Sequence, residues 1–569
     1  MELNKKTPII MIVILLSIFF GVHVWKQLKL KQKNLNVILL TLDSVNVKHL
    51  GFMGYKRSTT PILDSIAQDS MIFENTFSSA SWTSPGLHSV FTGLYPTLHG
   101  VEARGRSLIP GTITIFDVFK AHEYQVPNIS YLTQIPNYFF LGLDQEQPQL
   151  IKNSAYNGED LIQWLGKKHS KPFLLWYHYS SLHLPYKPKE KFNQFLTDSM
   201  RFLLKSENLR TLQENAVIPM NSIEFSTEEK EVVKALYDGQ LRELDDLIGK
   251  MMYQLKKQGI DQQTIIVITA DHGEELFEHG FIGHASTTHR ARLYDETIKI
   301  PFIIYDPTEK NNRKRIRVQV RQVDIMPTLA DYMGFKVPND LNGKSVLDLA
   351  KGKKMPRLDS FAESVIAGYQ STPAQEKIKI RSIRLQKHKL ICIEDNISNP
   401  CELYDIKSDP GERENIISEN PSIAANLKGK IRNQLSEMNF ARLSRLTTQK
   451  VEFSLKDVPK GKTLTKPIFV FPKKNQVIEI SKACEKIKID WSGDSELTYV
   501  IQYDIGLEFK NLKGKIPVKG TFKNFGLLPS HICDLLPVWN PYKIRVSPYG
   551  LDHYWSEWID FSFARTNRG

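Results

Sequence analysis

Three short apolar runs decide most of what this chain can fold into. NVILLT (36–41), FLLWYHY (173–179) and TIIVITA (264–270) are apolar, aromatic or β-branched at nearly every position. A strand with one wet face alternates polar and apolar residues. A run without that alternation is covered on both faces, as in a parallel sheet between helix layers. Between the second and third runs, LYDGQLRELDDLIGKMMYQLKKQG sets Leu241, Leu244, Ile248, Met251, Met252 and Leu255 at helical spacing, and Gly259 follows shortly after. Strand, helix, strand, with polar residues just past the strands, describes an α/β sheet whose site lies at its carboxyl edge.

The rest of the chain divides by character. At 569 residues it exceeds a single core and suggests two or three domains. Residues 190–230 read as a helical insertion, and 355–450 as a smaller α+β segment. From 451 onward the runs PIFVF, KIKIDW, LTYVIQY, YKIRVS and WIDFSF are separated by Gly, Pro, Asn and Asp, the spacing of a β-sandwich. Trp491, Tyr499, Tyr542 and WSEW (555–558) resemble a fibronectin type III module. The expected division is 1–34, 35–350, 351–450 and 451–569.

Residues 8–25, PIIMIVILLSIFFGVHVW, hold no acid or base except His23, and Lys5 and Lys6 precede them. Eighteen residues at about 1.5 Å each reach roughly 27 Å, enough for a bilayer core. An uncleaved single anchor is expected. A cleaved signal peptide is the alternative, but the run is long for one and no small-x-small site follows. Lys26, Lys29, Lys31 and Lys33 after the span do not by themselves direct the remainder outward. The cysteines do. Cys392 and Cys401 flank a turn, and Cys484 and Cys533 could staple the last segment. Two pairs imply an oxidising compartment, periplasmic or extracellular; four unpaired thiols are the alternative. The net charge of +13 suits an anionic substrate or an anionic membrane surface. The basic residues are scattered and no nucleic-acid motif occurs, so nucleic acid is not an expected partner.

The chemistry concentrates in three places. Asp43 lies in LTLDS (40–44), Asp271 and His272 open DHGEE, and Thr83 sits in SWTSPGLHSVFTG (81–93). Each alone has an ordinary reading as a helix cap or a turn. Together they offer two carboxylates, an imidazole and a hydroxyl. Mixed oxygen and nitrogen donors suit Zn²⁺ or Mn²⁺ better than Ca²⁺. Such an ion makes an otherwise weak threonine nucleophile usable near neutral pH.

These residues lie in blocks that resemble the sulfatases of the alkaline phosphatase superfamily. The likeness runs through NVILLTLDS, HLGFMGY, TTPILDSIAQDSMIFENTFS, TGLYPTLHGV, ITADHGEELFEHG, LYDETIKIPFIIYDP, VDIMPTLADYMGF and CELYDIKSDPGERENI, in that order. It implies an alkaline phosphatase-like α/β sandwich, a central mixed sheet between helices, followed here by the C-terminal β-sandwich. It also implies that Asp43, Asp271 and His272 bind one divalent metal ion, Zn or Mn favoured and Ca admitted, with Thr83 as ligand and nucleophile. His183, in SSLHLPYKP, matches the histidine that meets the substrate anion or protonates the leaving group. His284, in GHASTTHR, matches the group that holds the substrate oxygens, with His289 as its rival. Arg104 falls near a position where many relatives carry Asn.

The departures bear on substrate. Sulfatases proper oxidise the Cys or Ser of C/S-x-P-x-R to formylglycine, whereas this chain reads Thr83-Ser84-Pro85-Gly86-Leu87. Threonine cannot become the aldehyde, because its β-carbon bears a methyl group. Ser44 replaces a carboxylate beside Asp43, and no second zinc set is evident. A metal-bound threonine is what the superfamily's phosphodiesterases and phosphoethanolamine-type transferases use. The expected activity is a membrane-anchored, metal-dependent hydrolase acting on phosphate esters, or on sulfate esters, with a glycan- or lipid-linked anionic substrate. A headgroup transferase and a non-catalytic binding protein are the rivals.

Overall fold

The computed structural model describes residues 35–448, apart from 110, 139–140, 145–157, 310–312 and 395–399, and eight strands between 469 and 565. The apolar run 8–25, Cys484 and Cys533 lie outside the described residues. Among the described residues no helix is long and apolar enough to cross a membrane.

The three apolar runs become adjacent strands of one six-stranded sheet. Its strands are β1 (Asn36–Leu42), β2 (Ser70–Phe73), β3 (Leu174–Tyr179), β4 (Thr264–Ala270), β5 (Phe302–Tyr305) and β6 (Lys314–Ile316), in the order β6-β2-β5-β4-β1-β3. β1 is parallel to both neighbours, and Leu42 stands level with Tyr179 on one side and Ala270 on the other. β5 runs antiparallel to β4 and β2, so the sheet is mixed. Every residue of β1, β3 and β4 is buried, the reason none of these strands alternates.

Helices carry the complementary apolar stripes. α1 (Thr83–Thr92) follows the segment of Ser81 and Trp82, and α2 (Thr227–Lys257) precedes β4. α2 begins well before the apolar stripe that marks it in the sequence. Ser226 Oγ accepts from the Glu229 amide (3.1 Å) and Glu229 Oε2 accepts from the Ser226 amide (2.9 Å), a reciprocal cap that starts the helix in polar sequence. Leu241, Leu244, Ile248, Met251 and Leu255 then join the sheet's hydrophobic core, and Met252 packs on its margin. The segment read as a helical insertion contains helices Asp198–Leu203 and Glu207–Glu214.

A second, antiparallel sheet follows, of β7 (Ser360–Val365), β8 (Lys379–Arg384), β9 (His388–Glu394) and β10 (Cys401–Asp405), in that order. Cys392 and Cys401 stand opposite each other on β9 and β10 and form a disulfide, as their flanking of a turn suggested. Phe361, Leu390 and Leu403 of this sheet share one apolar cluster with Leu427 and Ile431 of α3 (Pro421–Thr448) and with Leu94, Tyr95 and Leu98, just past α1. The later strands form a three-stranded sheet (Phe469–Phe471, Ile487–Trp491, Phe522–Phe525) and a five-stranded one (Gln476–Ile480, Ile559–Arg565, Tyr542–Pro548, Thr498–Leu507, Lys510–Lys519).

One buried cation ties the second sheet to the main body. Lys389 of β9 is fully buried, with Nζ 2.8 Å from Asp295 Oδ1 and 2.7 Å from Glu412 Oε1. Removing the cation leaves Glu412 buried without its ion-pair partner, while Asp295 keeps Arg384 at 2.9 Å. Lys389→Met is therefore expected to destabilise the chain by about 3–5 kcal/mol. A urea-unfolding midpoint equal to the parent's would contradict that role for Lys389.

Candidate active site

In-register parallel pairing makes the first residues beyond β1, β3 and β4 neighbours. The Asp43 amide donates to Tyr179 O (2.9 Å) and the Asp271 amide to Leu42 O (3.2 Å), so both carboxylates emerge side by side from the sheet's carboxyl edge. Between them Ser44 adopts φ 55°, in the left-handed region that non-glycine residues seldom occupy. The bend aims its amide at Asp271 Oδ1 (3.2 Å) and its hydroxyl at Asp43 Oδ1 (2.7 Å).

α1 brings the hydroxyl. The helix cap is Trp82, and Thr83 is the first helical residue, so Thr83 is not the capping residue its sequence position allowed. The helix comes close because Gly86 has no side chain, since a Cβ there would lie 2.3 Å from Asp271 O. Gln322 fastens the two segments: its Nε2 donates to Asp271 O (2.7 Å) and its Oε1 accepts from the Ser79 amide (2.9 Å). Thr83 Oγ1 then lies 3.4 Å from His272 Nε2. Asp43, Asp271 and His272 are buried, whereas Thr83 is half-buried and reachable. The unpaired amides of a helix N-terminus add partial positive charge there.

His272 presents one definite nitrogen. Its Nδ1 donates to Gly273 O (2.7 Å), leaving the Nε2 lone pair 3.4 Å from Asp271 Oδ2 and 3.7 Å from Asp43 Oδ1. The electrostatics are those of a site built for positive charge. Burial, reinforced by Asp43, pushes Asp271 well above the usual carboxylate range. Burial also works to raise Asp43, but the hydrogen bond from His178 and the nearby imidazoles of His183 and His272 outweigh it and hold Asp43 low. Burial lowers His272, against the pull of Asp43. Asp271 Oδ2 has no hydrogen-bond partner. An orphaned carboxylate oxygen, a second carboxylate and an imidazole lone pair, with ligand atoms within 4.8 Å of one another, fit a divalent cation, and Thr83 Oγ1 lies 3.4 Å from the imidazole nitrogen of that group.

The remaining histidines separate. His284 is buried with its ring 4.3 Å from that of His272 and 4.9 Å from that of His183. Burial, then His272 and His183, lower it well below the ordinary imidazole value. His183 is half-buried, its Nδ1 engaged by Leu184 O (2.6 Å), so its Nε2 is the free nitrogen. His289 is exposed at φ 58° past the short helix Ala285–Thr288 and takes no part in this constellation. Arg104 stacks its guanidinium over Tyr369, 4.4 Å from the ring centre.

Two residues without a role in the sequence reading also face the site. His178 Nε2 lies 3.4 Å from Asp43 Oδ2, behind the ligand set. Glu274 Oε2 lies 2.7 Å from His284 Nδ1. Burial, with Asp43, Asp271 and Glu275 adding to it, raises Glu274 well above its usual value against a hydrogen bond from Tyr186. The carboxylate in DHGEE was visible in the sequence, but nothing there pairs it with a residue ten positions on.

A family model for the sulfatases matches residues 35–335, more than half of the chain. The chain belongs to the sulfatase family. It is an ester hydrolase of that family with the alkaline phosphatase-like fold. A model for the C-terminal part of N-sulphoglucosamine sulphohydrolase matches 283–440. Arylsulfatase K of Bos taurus is 22% identical over 72% of this chain and 82% of its own length. A delta 4,5-hexuronate-2-O-sulfatase of Bacteroides thetaiotaomicron is 21% identical over 68% and 85%. The crystal structure of a phosphonate monoester hydrolase of Agrobacterium radiobacter superposes with a TM-score of 0.57 at 19% identity, covering 71% of this chain and 96% of that one.

Asp271→Asn removes one of two carboxylates that repel each other. Its thermal midpoint in chelator-treated protein is expected to exceed the parent's. The further stabilisation that Zn²⁺ or Mn²⁺ gives the parent, about 4 kcal/mol at a thousandfold excess over Kd, is expected to vanish. An unchanged response to metal would remove Asp271 from the ligand set.

Proposed function

We propose that this protein is a membrane-anchored, metal-dependent phosphate ester hydrolase that uses Thr83 as its nucleophile outside the cytoplasm. The observation that carries this reading is the position of Thr83, a reachable hydroxyl at a helix N-terminus, 3.4 Å from the lone-pair nitrogen of His272. Asp43, Thr83, Asp271 and His272 hold one divalent ion, Zn²⁺ or Mn²⁺ rather than Ca²⁺. When bound, the ion supplies the positive charge that lets the Thr83 hydroxyl ionise near neutral pH.

The chain's own groups do the rest. Thr83 Oγ1 attacks phosphorus in line with the leaving oxygen. The amides at the start of α1 and His284 Nε2 steady the nonbridging oxygens. His183 keeps Nδ1 on Leu184 O and gives the proton on Nε2 to the departing alkoxide. The threonyl ester is then hydrolysed by water. A threonine ester of phosphate can be opened this way, whereas the aldehyde-hydrate route that expels sulfate is closed to threonine. Sulfate esters are the second reading, supported by the names of the curated relatives, and the hexuronate sulfatase among them supports a glycan-linked substrate.

Purified full-length chain is to be assayed on nitrophenyl phosphate, bis-nitrophenyl phosphate and nitrophenyl sulfate with Zn²⁺, Mn²⁺ and Ca²⁺. Phosphate esters are expected to turn over faster than the sulfate ester. Thr83→Ala is expected to lose at least about 10³-fold in kcat, and Thr83→Ser to retain part of it. Full turnover by Thr83→Ala would reject the nucleophile, and reaction of the sulfate ester alone would reject the substrate. Transfer of a labelled headgroup to an acceptor without free product would mark a transferase instead.

The division into an anchor (1–34), a catalytic unit (35–350), its subdomain (351–450) and a fibronectin III-like sandwich (451–569) belongs to this proposal. The apolar run 8–25 and the Cys392–Cys401 disulfide support an anchored, extracytoplasmic placement. A C-terminal epitope tag is expected to be cut by protease added outside sealed spheroplasts or cells. A fully protected tag would place the catalytic unit in the cytoplasm.

A further inference from the structure

Glu274 has no part in the roles above, yet it is fully buried against the site with both oxygens engaged. Its placement follows from a two-stranded hairpin, Glu275–Leu276 with Ile282–Gly283. Glu275 pairs with Gly283 in that ladder, so the residues one step outside it, Glu274 and His284, stand opposite each other. Gly283 has φ 103°, and a Cβ there would lie 2.3 Å from Thr287 Oγ1, so this close turn requires glycine.

The two side chains meet, with Glu274 Oε2 2.7 Å from His284 Nδ1. The far oxygen of Glu274 accepts from the Tyr186 hydroxyl at 2.6 Å, and Tyr186 is itself fully buried. The backbone of His284 is fixed as well, since its amide donates to Thr287 Oγ1 at 2.8 Å. Nδ1 of His284 is thereby occupied. Nε2 is buried without a hydrogen-bond partner, and the ring lies beside those of His272 and His183.

We infer that Glu274 is a positioning residue: with one oxygen held by the Tyr186 hydroxyl, its carboxyl O–H donates to Nδ1 of His284, which fixes the ring's plane, keeps the ring proton on Nε2 and delivers that Nε2–H to the oxygens of the substrate. This rests on the reading of His284 as a substrate-facing group. Glu274, His272 and His284 also have ligand atoms within 4.8 Å of one another, the arrangement of a second cation site. The Tyr186 and His284 contacts already use both carboxylate oxygens, which favours a positioning role over ligation.

Three variants of the full chain separate these possibilities. Glu274→Leu cannot bond to Nδ1, Glu274→Gln still can, and Tyr186→Phe removes only the outer link. With labelled histidine and Zn²⁺ loaded, the parent and Glu274→Gln are expected to show His284 fixed as the Nε2–H tautomer by nitrogen NMR. Glu274→Leu is expected to show averaged tautomers. In turnover, Glu274→Leu is expected to lose about 10–100-fold in kcat with KM little changed. Glu274→Gln is expected to recover most of that loss, and Tyr186→Phe to fall between. All three are expected to keep the parent's metal content.

A Glu274→Gln variant as impaired as Glu274→Leu, with one equivalent of metal lost, would make Glu274 a ligand and overturn the inference. So would an unchanged His284 spectrum in Glu274→Leu or, should that variant not fold, in Tyr186→Phe. The spectra need no substrate, so they stand even where the Thr83 assignment fails.

Discussion

Everything at the site follows from the register between β1 and β4. Because Leu42 stands level with Ala270, the next residue of each strand must be a neighbour of the other, and both are aspartates. Two carboxylates side by side in a dry sheet edge repel, and Coulomb energy at low dielectric makes that repulsion large. The fold meets it only in part. Ser44 donates to both carboxylates, and His178 stands behind Asp43, but Asp271 Oδ2 is left with nothing. A sheet core held by continuous apolar strands can sustain a local penalty of this kind, and a divalent cation relieves it. The bent Ser44, the bare Gly86 and the Gln322 clasp are consequences, each needed to bring a third element within reach of the pair.

How much of this was legible in the sequence depends on the range of the interaction. The strands were legible because a two-sided burial pattern is local, as in TIIVITA. The Cys392–Cys401 bond was legible because the two residues lie close in sequence on either side of a stretch rich in turn-forming residues, DNISNP. The start of α2 was not, since it rests on the reciprocal cap of Ser226 and Glu229 in a stretch with no apolar stripe. Thr83 read equally well as a helix cap. The backbone settled that by placing Trp82 at the cap, a matter of one residue that no propensity resolves.

The histidines show the limit more sharply. His284 and His289 lie five residues apart, and sequence spacing could not choose between them. The hairpin chooses, because its register carries residue 284 back over residue 274, while residue 289 leaves on a left-handed turn into solvent. The partnership of Glu274 with His284 was hidden for the same reason. A motif shows which side chains a chain owns, but the ladder that folds the motif on itself decides which of them touch.

Leu87 closes the argument about chemistry. Where formylglycine enzymes of the family carry the arginine of C/S-x-P-x-R, this chain has a leucine that is completely buried in the main hydrophobic core. A charge at that depth without a partner is costly, so the position here serves packing and the supporting cation is not simply moved by a rotamer. On the proposed reading, hydrogen-bond donors take its place, and the structure offers the first amides of α1 and the imidazoles of His183 and His284. The burial that lowers His284 makes it a directional partner rather than a standing charge, whose usefulness depends on which nitrogen it presents. That is why the carboxyl group behind it matters. On the proposed reading, a site with neither the arginine nor the aldehyde relies on the orientation of a neutral group, His284, to meet the substrate.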